Sequence, residues 1–250
     1  MRGIATVPSY VIMQPTTLCN LDCRYCYLPL RAHDRRMPVE VAGAVAASVN
    51  EWAQAVPRFS VVWHGGEPLA AGRDHLAALM AAFHGVEHHI QTNATLVDDE
   101  WCAFLAERGV KVGLSIDGPE DLTAQRVNRG GRPAYPQILR GVAALRRHGI
   151  PFAALCVVSD PRPGLAARLY GFFLEFGCYA LGINVEEREG VLERPPPGRR
   201  GFPVARAGHP GLLCLGQQGD QPGARRDQRS VVRRSGLRIV GHGPALPPED

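Results

Sequence analysis

From residue 8 to about residue 187, short apolar runs alternate with longer segments whose apolar residues recur every three or four positions. The short runs, at 9–14, 59–64, 87–92, 110–116, 151–159 and 179–185, have the length and composition of strands. The longer segments, at 38–56, 73–83, 98–108, 136–148 and 163–176, read as helices. Pro38 suits a first helical turn, acids open the segment at Asp98, and Gly109, Gly149 and Gly177 stand where helices stop. Strands and helices alternating at this spacing predict parallel βα units with right-handed crossovers. Six of them predict an α/β fold, a partial (β/α)6 TIM-like barrel smaller than the closed eight-stranded form.

Beyond Arg194 the periodicity stops. Residues 195–250 are rich in arginine, proline and glycine, contain no tyrosine or tryptophan, and hold short apolar runs only at 211–215 and 237–240. Such a composition buries too little apolar surface to offset ordering entropy, which predicts a poorly structured, largely disordered tail. A shifted reading frame near residue 195 would produce the same abrupt change. The expected organisation is a core at 8–190 followed by this tail.

Composition narrows the functional classes. A chain of 250 residues with 45% hydrophobic content can build a substantial core, and its formal charge of +4 is mild. Lys111 is the only lysine, and the arginines form no stripe interleaved with aromatics, so nucleic-acid binding is not expected. No apolar run approaches the roughly 20 residues of a membrane span. Residues 1–8 lack the basic and apolar regions of a secretory signal, so a cytoplasmic location is expected.

Seven cysteines are unevenly placed: Cys19, Cys23 and Cys26 crowd one loop, while Cys102, Cys156, Cys178 and Cys214 stand singly. The cluster reads as metal ligation, and Cys102, Cys156 and Cys178 as small buried apolar residues. Cys19-Asn-Leu-Asp-Cys23-Arg-Tyr-Cys26 directly follows a predicted strand. Three thiolates on such a loop can hold three corners of a [4Fe–4S] cube and leave the fourth iron open. The alternative is a structural zinc site completed by His33.

The C-x3-C-x2-C spacing, with aromatic Tyr25 before the last cysteine, resembles the signature of the radical S-adenosylmethionine (SAM) superfamily. HGGEPL (64–69), QTNATL (91–96) and SIDGP (115–119) follow in the order found in its peptide- and protein-modifying SPASM subgroup. That subgroup includes anaerobic sulfatase maturases and maturases of ribosomally made peptides. The resemblance covers residues 8 to about 190. It implies that Cys19, Cys23 and Cys26 hold the cluster and that its open iron chelates SAM. Reductive cleavage then generates a radical that abstracts hydrogen from a peptide or protein side chain, with an external electron donor as a further partner.

The resemblance also implies cofactor contacts. Tyr25 lies near the adenine, Gly65, Gly66 and Glu67 meet the methionine amino group, and Asn93 reaches the ribose. Ser115 and Asp117 follow on a strand end, and Arg126 stands where related enzymes grip the cofactor carboxylate, although Arg129 and Arg132 are close by. For Thr95 a helix-capping role competes with ribose contact. Two departures stand out. The subgroup's His-Asp pair after SIDGP is replaced by Asp121-Leu-Thr-Ala-Gln125, and the tail holds only Cys214, too few thiolates for SPASM clusters. A core that binds cluster and SAM without substrate turnover is therefore a second expectation. The catalytic acid or base is not assignable from sequence.

Overall fold

The computed structural model describes residues 7–186 and the backbone of two further strands, Leu213–Gln217 and Leu237–Val240. The sheet order follows the chain. Strands β1 (Tyr10–Met13), β2 (Ser60–Trp63), β3 (Glu87–Thr92), β4 (Lys111–Ser115), β5 (Phe152–Val158) and β6 (Ala180–Val185) are all parallel to their neighbours. Between them run α1 (Val39–Ala55), α2 (Arg73–Met80), α3 (Asp99–Glu107), α4 (Tyr135–Arg147) and α5 (Leu165–Phe176). The six expected strands and five expected helices are all present, curled into the expected partial barrel.

Sequential parallel strands with right-handed crossovers place every helix on one side of the sheet. Burial along the strands fits this. Val61, Trp63, Val112, Leu114, Phe152, Ala154 and Cys156 are buried, while the alternate residues are half-open. The buried set packs under the helices with Leu76, Leu79, Leu105, Ile138, Leu145 and Phe173. The alternate set, including Ser60, Val62, Gly113, Ser115 and Leu155, lines the open face of the curl.

Local chemistry sets the ends. Asp98 caps α3 by accepting from Trp101 N–H at 2.8 Å, so Thr95 is not the cap. Pro38 sits at the cap of α1, one position before its first turn. A 3₁₀ turn at Pro68–Ala71, not expected from the sequence, is capped by the Glu67 carboxylate.

In the region expected to be disordered or frame-shifted, the described residues form β7 (Leu213–Gln217) and β8 (Leu237–Val240). They extend the sheet antiparallel from β6, and they coincide with the tail's two apolar runs. The other residues of 195–250 lie outside the described residues, as does the Cys214 side chain. Among the described residues no helix is long and apolar enough to cross a membrane.

Candidate active site at the cysteine loop

The cysteine loop leaves the C-terminal end of β1, the end at which parallel α/β sheets bind ligands. It is not a free loop. Asp22 and Arg24 donate their N–H groups to Val127 and Gln125 carbonyls at 2.7 and 3.0 Å, and Cys19 N–H donates to Arg31 O at 2.9 Å. Leu21 bridges to Asn128. Two guanidinium groups then gather its carbonyls. Arg129 donates through Nη2 to Cys19 O (2.8 Å) and Arg31 O (2.7 Å), while Arg31 reaches Leu28 O (3.0 Å) and the Asp22 carboxylate. Arg129, one of three candidates for the cofactor carboxylate, is thus a brace for the loop.

Cys19 and Cys26 are half-buried and Cys23 is buried, all as free thiols. Burial pushes the Cys19 thiol up to about 12 and Cys23 up to about 11; nearby Arg126 opposes the rise at Cys23. Both shifts favour the protonated form, so thiolate ligation by Cys19 and Cys23 calls on the positive charge of a bound metal centre. Among the described residues no three His, Cys, Asp or Glu side chains converge to hold one metal ion. Three soft thiol donors on one braced loop fit a cluster that leaves one iron open.

The expected cofactor contacts sort into two groups. Glu67 is only 1% exposed. Its Oε1 accepts from Leu69 N–H (3.1 Å) and Thr92 Oγ1 (2.7 Å), and its Oε2 accepts from Asn93 N–H (2.8 Å). Burial raises its pKa to about 7, against the pull of these donors. The carboxylate ties the end of β2 to the end of β3 and helps hold Ala94, fully buried, at φ +63. Asn93 is occupied similarly: Nδ2 donates to Asn20 Oδ1 at 2.9 Å and lies 3.9 Å from Cys19 Sγ, while Oδ1 accepts from Thr95 N–H and Oγ1. Asn20 closes the ring by donating to Thr95 Oγ1 at 2.7 Å.

Asp117 and Arg126 likewise meet each other. Arg126 Nε and Nη2 form a fork on the two carboxylate oxygens at 2.9 and 2.8 Å, with both residues buried. Tyr25 O–H donates to the same carboxylate at 2.8 Å, Val157 N–H donates at 2.9 Å, and the guanidinium lies 5.4 Å from the Tyr25 ring centroid. Burial works against the Arg126 charge, but the Asp117 carboxylate outweighs it and holds the pKa above the usual arginine value. Burial also raises the Tyr25 phenol, keeping it a proton donor to Asp117. Arg126 therefore positions Tyr25 within the cluster loop.

The second group keeps polar capacity open. Ser115 is half-buried; it accepts from Gln91 Nε2 at 2.9 Å and retains its own hydroxyl proton. The Gln91 side chain reaches Ser115 across Gly113, where a Cβ would lie 2.2 Å from Gln91 Oε1. Gly65 and Gly66, at φ +92 and +62, are half-open, and among the described residues their N–H and carbonyl groups have no partner. Gly66 is glycine because a Cβ would meet the Thr16 and Leu18 carbonyls at 2.6 and 2.7 Å. Its close approach is thus to the segment between β1 and Cys19. These open backbone groups suit the charged end of an amino-acid-like ligand.

A partial parallel barrel with a braced three-thiol loop and open polar groups at the strand ends defines a cluster-dependent α/β protein. The chain belongs to the Radical SAM superfamily, whose model matches residues 13–160. It is 33% identical over 187 residues to the serine-type anaerobic sulfatase-maturating enzyme of Bacteroides thetaiotaomicron, covering 70% of this chain and 45% of that protein. It is 28% identical over 181 residues to the cysteine-type enzyme of Clostridium perfringens, covering 67% and 48%. Among solved structures it resembles the anaerobic sulfatase maturase anSMEcpe with bound AdoMet, at a TM-score of 0.62 and 28% identity, covering 71% of this chain and 51% of that one. Streptococcus suis SuiB bound to its precursor peptide SuiA shares the fold, at a TM-score of 0.59 and 20% identity, covering 74% and 41%. The chain spans about half the length of the curated relatives it matches.

Proposed function

We propose that residues 8–190 form a radical SAM core that binds a [4Fe–4S] cluster on Cys19, Cys23 and Cys26 and acts on a peptide or protein side chain. The observation that carries this reading is the placement of three free thiols on one loop, braced by Arg31 and Arg129, at the mouth of the half-barrel. Bound cluster and SAM together supply a hydrogen-abstracting radical by one-electron cleavage of the sulfonium. The chain's own residues bind and orient. Gly65 and Gly66 offer backbone groups to the methionine end, Ser115 offers its hydroxyl, and Tyr25 is held toward the site by Asp117 and Arg126. Asn93 Nδ2 approaches Cys19 Sγ, a contact that moderates the charge on the thiolate. Glu67 and Asn93 serve the cofactor by fixing the β2 and β3 ends on which the other contacts stand.

The peptide substrate is supported by relatives that are sulfatase maturases and by a fold neighbour solved with its precursor peptide. The test is anaerobic reconstitution with iron and sulfide, followed by reduction in the presence of SAM. Expected outcomes are visible thiolate-to-iron absorption and release of 5′-deoxyadenosine. Stoichiometric zinc that resists exchange, with no SAM binding, would sink the reading. Incubation with candidate peptides and mass analysis then separates substrate turnover from cofactor cleavage alone.

A further inference from the structure

Beside Cys19, three polar side chains close a ring of hydrogen bonds. Asn93 Nδ2 donates to Asn20 Oδ1 at 2.9 Å, Asn20 Nδ2 donates to Thr95 Oγ1 at 2.7 Å, and the Thr95 hydroxyl donates to Asn93 Oδ1 at 2.6 Å. The backbone fixes the direction of this ring. Thr95 N–H can only donate, and it donates to Asn93 Oδ1 at 3.0 Å, so Nδ2 of the same amide must face Asn20. Asn20 then has to offer its oxygen to Asn93 and its nitrogen to Thr95, which commits the Thr95 proton to Asn93. Asn20 takes one of the two Nδ2 protons, and the other is available to Cys19 Sγ, 3.9 Å away. The turn that carries Asn93 and Thr95 is also held from outside the ring. Asn93 N–H donates to Glu67 Oε2 and Ala94 N–H to Thr92 Oγ1. Helix α4 closes on the turn at Gly141, where a Cβ would stand 2.0 Å from Ala94 O.

We infer that Asn20 and Thr95 are positioning residues that aim the Asn93 amide at the Cys19 sulfur and so set the reduction potential of the cluster on that loop. The inference rests on the cluster reading above and deepens it, and it replaces the ribose contact that the family resemblance implies for Asn93. An N–H facing a ligand thiolate stabilises the more negative, reduced state of a cluster, and hydrogen bonds to the sulfurs are a lever on its potential. In a closed ring where every member both donates and accepts, each bond polarises the next, which strengthens the Asn93 amide as a donor. Asn93 is buried, so water does not stand in for this N–H.

The test compares Thr95→Val, which keeps the side-chain shape and removes the hydroxyl, with Thr95→Ser, which keeps the hydroxyl. On anaerobically reconstituted protein, one-electron reduction of the cluster is titrated against viologen mediators and followed by electron paramagnetic resonance. Thr95→Val should shift this equilibrium about 10-fold toward the oxidised cluster, a potential lower by about 59 mV for one electron. Thr95→Ser should match the parent chain. Asn20→Ala should shift the potential in the same direction, and Thr95→Val should add nothing to Asn93→Ala, because both act through the same amide. SAM affinity, measured by equilibrium dialysis, should be unchanged in Thr95→Val. Equal potentials in parent and Thr95→Val would overturn the inference. So would a loss of SAM affinity at unchanged potential, the mark of a ribose contact. If Thr95→Val and Asn20→Ala both fail to load a cluster while Thr95→Ser loads one, the ring shapes the loop and not the potential, and the inference is again overturned. A parent chain that takes up no cluster refutes the cluster reading itself, and this inference with it.

Discussion

Replacing Asp117 with asparagine leaves a guanidinium buried without its counter-charge. Arg126 is 6% exposed and Asp117 is 2% exposed, so solvent cannot substitute for the lost carboxylate. Two of the four groups that converge on it, Arg126 Nε and Nη2, would face a neutral amide, one end of which is itself a donor. Removing one partner of a buried pair costs about 3–5 kcal/mol, against a total stability of about 5–15 kcal/mol for a typical domain. With an urea m-value of about 2 kcal/mol/M, Asp117→Asn should lower the unfolding midpoint by about 2 M. The double variant Asp117→Asn/Arg126→Met removes both charges and should recover about half of the loss or more. The assay is equilibrium urea unfolding followed by far-UV circular dichroism and Trp fluorescence, on protein without its cluster. A single-variant shift under about 0.5 M, or strictly additive losses in the double variant, would refute the reading of Asp117 and Arg126 as a buried structural pair.

Three further outcomes are expected. Gly66→Ala should cost about 2 kcal/mol or more and abolish iron loading, because its Cβ would strike two carbonyls at φ +62, whereas Gly43→Ala in α1, with nothing within 4 Å, should stabilise by about 0.5–1 kcal/mol; melting curves and iron content check both. Serine at Cys19, Cys23 or Cys26 should each remove the visible cluster absorption, while Cys102→Ala should lose stability but keep iron per chain. Burial lowers the His88 pKa to about 4, and Trp63 Nε1–H donates to its Nδ1 at 3.2 Å, so the folded state prefers neutral imidazole. The stability this provides is complete above about pH 6.5 and is lost as pH falls toward 4, up to about 3 kcal/mol, and His88→Phe should flatten that limb in pH-dependent melts.

The architecture was legible because β2, β4 and β5 alternate buried and half-open residues, α3 begins on acids, and α4 and α5 are followed by glycines. Trp63, Leu114 and Cys156 are buried where the alternation puts them. The cysteine loop was legible because its donor spacing is chemistry in itself. The partners of the remaining polar residues were not. Asp117 and Arg126 both read as ligand-facing, since a sequence shows that two charges lie nine positions apart but not that the intervening turn folds one onto the other. Glu67 read as an acid offered to an amine, yet the 3₁₀ turn and the β3 end supply three donors that no periodicity announces. Arg129 had no motif of its own. Its role rests on backbone carbonyls, which every residue possesses and no sequence pattern marks.

The bracing of the cysteine loop has a consequence for how the protein is made. Cys26 precedes Arg126 by 100 positions, and Arg129 comes later still. At about 5–20 residues per second, the ribosome exposes three unsupported thiols for about 5–20 s before their clamp exists. During that interval the nascent loop can be captured by whichever thiophilic ion is at hand, and zinc outcompetes ferrous iron for such donors. Cluster delivery therefore belongs after the β4–α4 connection has closed, and slow translation across residues 27–126 should raise the zinc content of the purified chain.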